Sequence, residues 1–263
     1  MGRFFTMPPY NPPMSDLLIS EHNGYRTLHF GSEWVQGRMR IRKPAELSLA
    51  YAQEMTAALL FAPPAGNVYV AGLGVGALPR WAFANWGESL KRMDVVELRA
   101  DVISLAQHSF PLPLDDRRLR IVCDDAAAAI QAKGESTIDW IWVDCYDGRG
   151  RVGALESSEF YESCHRAMKK RGVLVANMWS NVPRYRPGLK RLQKVFGDNI
   201  ALLPSIETEN VIMIASKSPL VSGDLATALA SPAMRAHART LTLEYDLPFS
   251  KWLSRITGIR SAV

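Results

Sequence analysis

The chain has 263 residues, of which 48% are hydrophobic, and a formal net charge of +5. This length suits one sizeable core with a small appended domain. No apolar run approaches the roughly 20 residues of a membrane helix, and the proline-rich first 13 residues lack the apolar stretch of a secretory signal. The positive charge fits either a solvated surface or an anionic partner.

The chain has few cysteines and histidines. Cys123, Cys145 and Cys164 are too scattered for a disulfide framework or a zinc site. The five histidines show no metal-ligand spacing. We therefore expect a reduced, cytoplasmic setting and no bound metal.

The first 62 residues predict an irregular arm followed by a small domain. Prolines break residues 1–18, which we expect to form the arm. Residues 19–62 predict a small N-terminal β-domain with a linking helix. Its strands are expected over 25–30 and 34–41, where apolar and polar residues alternate around a Gly31-Ser32 turn.

The linking helix is predicted from Ala45 to Phe61, after Pro44. An apolar stripe at helical spacing supports it, formed by Leu47, Tyr51, Met55 and Leu59.

Residues 63–218 predict a catalytic domain in which strands and helices alternate, as in a Rossmann-like, doubly wound, mostly parallel sheet. The predicted strands are Val68–Ala71, Met93–Glu97, Leu119–Cys123, Trp140–Asp144, Val173–Met178, Ile200–Leu203 and Val211–Ala215. Helices are expected to start near Ala77, Ala100, Ala126, Ser157 and Arg186. Residues 219–263 predict a helical tail, broken near Pro248, that either packs on the sheet or forms an interface.

A glycine turn follows the first of these strands. Gly72, Gly74 and Gly76 lie between an apolar run and a helical pattern, and the next strand ends in Glu97. The glycines alone could serve geometry only. A strand, a glycine turn, a helix and a second strand ending in a carboxylate are typical of a nucleotide-binding site, because that carboxylate can accept hydrogen bonds from ribose hydroxyls.

Carboxylates also mark the ends of the next two strands. Asp125 could hydrogen-bond an adenine amino group, cap the helix that begins at Ala126, or do both. Asp144 and Asp147 could form a catalytic pair, or Asp147 could only shape a turn with Gly148. Asp144 follows an apolar run, so we expect burial to raise its pKa and make it a better base.

The chain resembles the spermidine synthase family of aminopropyltransferases in five ordered motifs: GLGVGALPR, VVELRADVISLAQHSFP, DDRRLRIVCDDA, DWIWVDCYDG and SSEFYESCHRAMKKRGVLVANM. The resemblance runs from about Ile19 to Ser216. It implies a Rossmann-like transferase fold that takes decarboxylated S-adenosylmethionine or a relative as co-substrate and releases methylthioadenosine. It also implies a homodimer.

The resemblance places seven residues around the nucleoside: Gln36, Gly72, Gly74, Gly76, Glu97, Asp124 and Asp125. It implies that the glycines back the sulfonium and ribose, and that Glu97 holds the ribose hydroxyls. Asp125 would face the adenine amino group, with Cys123 and Asp124 alongside, and Gln36 would close over the nucleoside.

The resemblance makes Asp144 the catalytic base and Asp147 the anchor of a small amine acceptor. The amine, kept neutral by Asp144, would displace methylthioadenosine directly. We further expect substrate contacts from Tyr51, Tyr146 and Glu207.

Several departures from the family pattern lie in the acceptor half of the site. Val75 stands where the family has an aspartate, and Ala52 where it has a histidine. An acidic segment after Gln36 is replaced by residues 37–43, GRMRIRK. Gly148 replaces a proline, and a tyrosine expected within residues 205–209 is missing.

Three arginines in the replaced segment alternate along a predicted strand. Arg38, Arg40 and Arg42 would share one face, which either borders the site and repels a cationic acceptor or faces solvent.

Three functions remain open from the sequence. The first is aminopropyl transfer to an unusual acceptor. The second is methyl transfer from intact S-adenosylmethionine to a non-polyamine, anionic substrate, because one fold serves both reactions. The third, ranked last, is a non-catalytic nucleoside- or nucleic-acid-binding protein with a basic footprint of Arg149, Arg151, Lys169, Lys170, Arg171, Arg184, Arg186, Lys190 and Arg191.

Overall fold

The computed structural model of the chain describes residues 17–30, 35–64, 66–145 and 153–259. Within these ranges the chain forms one sheet of three strands and one of eight. No helix in the described part of the chain is long and apolar enough to cross a bilayer. The predicted N-terminal arm falls outside these ranges except for its last two residues, which begin the first strand.

The smaller sheet is an antiparallel meander. Its strands are β1 (Leu17–His22), β2 (Tyr25–Phe30) and β3 (Val35–Arg40). Asn23 and Gly24 connect β1 to β2 with φ angles of 49° and 79°. Both angles are left-handed, as a tight two-residue hairpin turn requires, and Asn-Gly is the sequence that best adopts it.

The inner face of this sheet packs on the part of the chain that forms the larger sheet. Leu28 and Met39 are buried in a cluster with Val75 and Phe110. The strands predicted over 25–30 and 34–41 are confirmed, with β3 ending one residue earlier and residue 34 lying outside the described ranges.

The linking segment contains less helix than predicted. Helix α1 covers only Ala50–Glu54 and continues as a 3₁₀ helix over Met55–Leu60, so the prediction of one helix from Ala45 to Phe61 is wrong.

Side chains donate hydrogen bonds to the backbone carbonyls that would accept backbone amides in a longer helix. The three contacts are Arg80 Nε to Pro44 O at 2.8 Å, Gln53 Nε2 to Leu47 O at 2.7 Å, and Arg38 Nη2 to Ser48 O at 2.6 Å. Side-chain donors satisfy these carbonyls in place of a helical ladder.

The larger sheet is mostly parallel. Its strands are β4 (Asn67–Ala71), β5 (Arg92–Glu97), β6 (Leu119–Cys123), β7 (Ile138–Val143), β8 (Met168–Trp179), β9 (Ile200–Pro204), β10 (Asn210–Ser216) and β11 (Thr257–Gly258). Their order is β11-β9-β10-β8-β7-β4-β5-β6, and strands β4 to β8 run parallel. All seven predicted strands are present, although β7 ends at Val143 and leaves Asp144 just beyond it.

Helices cover both faces of this sheet. Helices α2 to α6 are Ala77–Asn85, Ala100–Ser109, Ala126–Gln131, Ser158–Ala167 and Tyr185–Phe196. On β4, Val68 and Val70 enter the buried cluster that contains α2, whereas Tyr69 and Ala71 enter the cluster that contains α4, α5 and α6. Successive strand residues point to opposite faces, so the predicted doubly wound sheet is confirmed.

The tail packs against the sheet. It contains α7 (Leu225–Leu229), α8 (Pro232–Tyr245) and α9 (Phe249–Leu253), with Pro248 preceding α9 as predicted. Tyr245, Phe249 and Trp252 belong to the same buried cluster as α2. The short strand β11, which the sequence did not predict, extends the sheet beside β9.

Candidate active site

The carboxyl ends of neighbouring parallel strands bring Gly72 and Asp144 together. The Asp144 amide donates to the carbonyl of Ala71 at 3.0 Å. Gly72 has a φ of 94°, and a Cβ there would collide with the Asp144 carbonyl and lie 2.8 Å from Cys145 Sγ. Glycine is therefore required both by the backbone conformation and by the close approach of the adjacent strand end.

Glu97, at the end of β5, forms a hydrogen bond with the backbone of the glycine turn. Its Oε2 accepts from the amide of Leu73 at 2.9 Å, and its Oε1 accepts from the amide of Arg99 at 3.0 Å. Burial raises the pKa of Glu97 above its usual range, while these hydrogen bonds act in the opposite direction. Each carboxylate oxygen can accept a further bond, so capacity remains for hydroxyl groups.

Asp124 and Asp125 lie exposed at the end of β6. Asp125 Oδ1 accepts from the amide of Ala128 at 2.9 Å, which confirms the predicted cap of α4. Asp124 Oδ1 accepts from the amide of Asp125 at 2.8 Å. The adenine contact expected for Asp125 stays a prediction.

A cleft lies between the N-terminal sheet and the glycine turn. Five of the predicted site residues, distant in sequence, line it together: Gln36, Tyr51, Gly72, Gly74 and Asp144. Gly76 instead forms the N-cap of α2.

The Asp144 carboxylate has two side-chain partners. Asn177 Nδ2 donates to its Oδ1 at 3.0 Å, and the Tyr51 side chain forms a second hydrogen bond with it. Burial raises the pKa of Asp144, and both hydrogen bonds oppose that rise. A carboxyl group with a raised pKa is a better proton acceptor near neutral pH.

Asn177 and Asn210 support Asp144, and the sequence analysis missed both. Asn210 Nδ2 donates to Asn177 Oδ1 at 2.7 Å, and both residues are buried. Asn177 interrupts the apolar run of β8, and a lone amide in a buried strand requires polar partners. That interruption was the available signal.

The sequence also predicted substrate contacts from three further residues. Tyr146 and Asp147 lie outside the described residues. Glu207 is exposed on the turn between β9 and β10. Their expected roles stay predictions. Across the described ranges, no group of three or more His, Cys, Asp or Glu side chains could hold a metal ion.

Comparison with known proteins identifies the family. The profile of the Spermine/spermidine synthase domain matches residues 85–220, more than half of the chain. A polyamine aminopropyltransferase of Neisseria meningitidis is 31% identical over 237 residues, covering 90% of this chain and 87% of that protein. The chain belongs to the spermine/spermidine synthase family.

Two further comparisons agree with this assignment. A polyamine aminopropyltransferase of Chromobacterium violaceum is 32% identical over 244 residues, covering 92% of this chain and 90% of that protein. The crystal structure of a probable spermidine synthase from Corynebacterium glutamicum superposes with a TM-score of 0.70 at 20% identity, covering 86% of this chain and 83% of that one. The latter likeness concerns the fold.

Val75 stands where the spermine/spermidine synthase pattern has an aspartate, so this part of the cleft wall is apolar and uncharged. The residue is 3% exposed and belongs to the cluster with Leu28 and Met39. A Cβ added at Gly37 would lie 2.6 Å from Val75 Cγ1. Valine at position 75 and glycine at position 37 therefore fit each other where the N-terminal sheet meets the glycine turn.

Of the three arginines predicted to share one face of a strand, only Arg38 and Arg40 lie on β3. Strand β3 ends at Arg40, and Arg42 lies exposed in the turn that follows. Arg40 is exposed and pairs with Glu46 at 3.3 Å. Only Arg38 lines the cleft.

The basic footprint proposed for nucleic acid is partly neutralised. Lys169 pairs with Asp139 at 2.7 Å, and Arg184 pairs with Glu156 at 3.4 Å. Arg149 and Arg151 lie outside the described residues.

Proposed function

We propose that this chain transfers an aminopropyl group from decarboxylated S-adenosylmethionine to a small amine acceptor and releases methylthioadenosine. One observation carries the proposal. The Asp144 carboxylate, hydrogen-bonded by Asn177 and Tyr51, shares a cleft with the glycine turn that Glu97 holds in place. The base and the nucleoside site are thereby adjacent.

The nucleoside would lie along the carboxyl edge of the sheet. Glu97 accepts the ribose hydroxyls with the capacity that its backbone hydrogen bonds leave. Asp125 uses Oδ1 to cap α4 and turns Oδ2 to the adenine amino group. Gln36 approaches from β3 across the cleft.

The reaction is a direct displacement. The nitrogen lone pair of the acceptor attacks the propyl carbon bound to the sulfonium, and the carbon–sulfur bond breaks. Its electron pair stays on sulfur, which becomes the neutral thioether of methylthioadenosine. Asp144 takes the proton that the nitrogen loses. Holding both reactants in line supplies much of such a rate enhancement, and Asp147 and Tyr146 remain the expected anchors for the acceptor.

Asp144→Asn tests the proposed base. The amide preserves shape and cannot accept a proton, so we expect kcat to fall about 10²- to 10⁴-fold. Calorimetric affinity for methylthioadenosine should stay within about threefold, or less than 1 kcal/mol. The control is Asp115→Asn, which changes an exposed carboxylate outside the cleft wall. Full activity of Asp144→Asn would remove Asp144 from the mechanism.

A second candidate, methyl transfer from intact S-adenosylmethionine, is favoured by one observation. Arg38 lines the cleft, and a guanidinium suits the carboxylate that the intact compound retains. The co-product decides between the candidates, because methyl transfer releases S-adenosylhomocysteine instead of methylthioadenosine.

The homodimer and the cytoplasmic setting also remain proposals. The first rests on family resemblance, and the second on three free cysteines in the described part of the chain. Sedimentation of the purified chain tests the first, and fractionation of producing cells tests the second.

A further inference from the structure

Arg38 places a cation in the wall of the cleft. It lies two residues after Gln36 on β3, so both side chains project from the same face of the strand. Both line the cleft that also contains Tyr51 and Asp144. A charge at this position acts on any substrate that reaches the base.

Contacts with the protein fix the Arg38 guanidinium. Its Nη2 donates to the Ser48 carbonyl at 2.6 Å. Its Cζ lies 4.8 Å from the centroid of the Tyr25 ring, which gives the group a stacking surface. A guanidinium held in one plane loses little further freedom when it binds a planar anion.

One donor of Arg38 is left unused. Nε is buried and has no hydrogen-bond partner among the described residues. A buried donor without an acceptor is unfavourable. The contacts with Ser48 and Tyr25 therefore do not use the whole hydrogen-bonding capacity of the guanidinium.

Arg38 also differs from its basic neighbours in charge balance. Arg40 and Lys43 pair with Glu46 at 3.3 and 3.9 Å. Within the described ranges no carboxylate lies within 4 Å of the Arg38 guanidinium as an ion-pair partner. A second ammonium group on the substrate would be repelled here, whereas a carboxylate would supply the missing counter-charge.

We infer that Arg38 binds a carboxylate of the substrate that occupies the cleft. The inference rests on the proposed function and narrows its substrate class. A diamine with decarboxylated S-adenosylmethionine carries no such group. The carboxylate belongs either to the acceptor, as an amine with a carboxylate at its far end, or to intact S-adenosylmethionine.

Two matched pairs of compounds test the inference and separate the sources. For the acceptor, we compare 4-aminobutanoate with 1,4-diaminobutane, which differ at the far end, by methylthioadenosine release from decarboxylated S-adenosylmethionine. For the donor, we compare calorimetric affinities for intact and decarboxylated S-adenosylmethionine. In at least one pair the wild type should prefer the carboxylate member by about tenfold, or 1.4 kcal/mol.

Arg38→Gln should abolish that preference while leaving the affinity for methylthioadenosine unchanged. The control is Arg40→Gln, on the same strand but exposed and paired outside the cleft, and it should leave the preference intact. Arg38→Lys keeps the positive charge but loses the planar guanidinium, whose paired donors match the two oxygens of a carboxylate. It should therefore keep only part of the preference. If Arg38→Gln fails to fold, the wild-type comparison and Arg38→Lys still test whether Arg38 binds a carboxylate.

A wild type that prefers the diamine and the decarboxylated donor would overturn the inference while confirming aminopropyl transfer. Equal use of both members of each pair, unchanged in Arg38→Gln, would overturn it as well. An Arg38-dependent preference for intact S-adenosylmethionine, with no methylthioadenosine release from any amine, would confirm the carboxylate site and refute the proposed function.

Discussion

Asn177 presents its amide nitrogen to Asp144, with 3.0 Å between Nδ2 and Oδ1. Asn210 fixes the orientation of the Asn177 amide, because its Nδ2 donates to the Asn177 Oδ1 at 2.7 Å. An amide whose oxygen is occupied must offer its nitrogen to the carboxylate. Two neighbouring strands, β8 and β10, thus orient the proposed base.

Replacing Asn177 should shift the pH dependence of the reaction. A hydrogen bond donated to a carboxylate favours its charged form, so Asn177→Ala should raise the pKa of Asp144 further above its usual range. Asp144 must be deprotonated to accept a proton. The acidic limb of kcat/KM against pH should therefore move to higher pH.

The matched control for this shift is Asn85→Ala, which removes an exposed amide at the end of α2 and should leave the acidic limb unchanged. A lower kcat with an unmoved limb in Asn177→Ala would mean that Asn177 only supports the fold.

The fit between Gly37 and Val75 should be measurable as a coupling energy. An alanine Cβ at position 37 would meet both methyl groups of Val75, at 2.6 and 2.7 Å. Gly37→Ala should destabilise the protein by about 1–3 kcal/mol through overpacking. In the Val75→Ala background the same change should cost less, because the two methyl groups are gone. Urea unfolding of the four proteins gives the coupling, expected at about 1 kcal/mol or more.

Additive single and double variants would contradict this account. They would mean that the cost of Gly37→Ala does not arise from contact with the Val75 methyl groups.

Glu97 should control affinity for the nucleoside more than the chemical step. Glu97→Gln exchanges one acceptor oxygen for an amide donor, which faces the backbone amide of either Leu73 or Arg99. We expect methylthioadenosine to bind about 10- to 100-fold more weakly by calorimetry, or about 1.4–2.8 kcal/mol. The control Glu135→Gln changes an exposed carboxylate and should bind normally. Unchanged binding by Glu97→Gln would remove it from the nucleoside site.

The elements that the sequence predicted are those with local signals. Apolar runs bounded by glycine, proline or polar residues marked all seven long strands of the larger sheet. The positions of Glu97 and Asp144 followed from topology, because parallel strands end at one edge. The cap formed by Asp125 followed from its place before Ala126.

The elements that the sequence did not predict depend on tertiary contacts. The linking helix is shorter than its apolar stripe suggested, since Arg38 and Arg80 hold carbonyls before α1. The roles of Asn177 and Asn210 depend on pairing between β8 and β10. Strand β11, with two residues, is too short to carry a periodic signal.

The co-product formed by the wild-type protein tests the central claim most directly. The protein is incubated with decarboxylated S-adenosylmethionine, intact S-adenosylmethionine and a mixture of diamines and amino acids, and the nucleosides and modified acceptors are identified by mass spectrometry. We predict methylthioadenosine and an aminopropylated acceptor in equal amounts, both lost in Asp144→Asn. S-adenosylhomocysteine with a methylated acceptor, and no methylthioadenosine, would contradict the account.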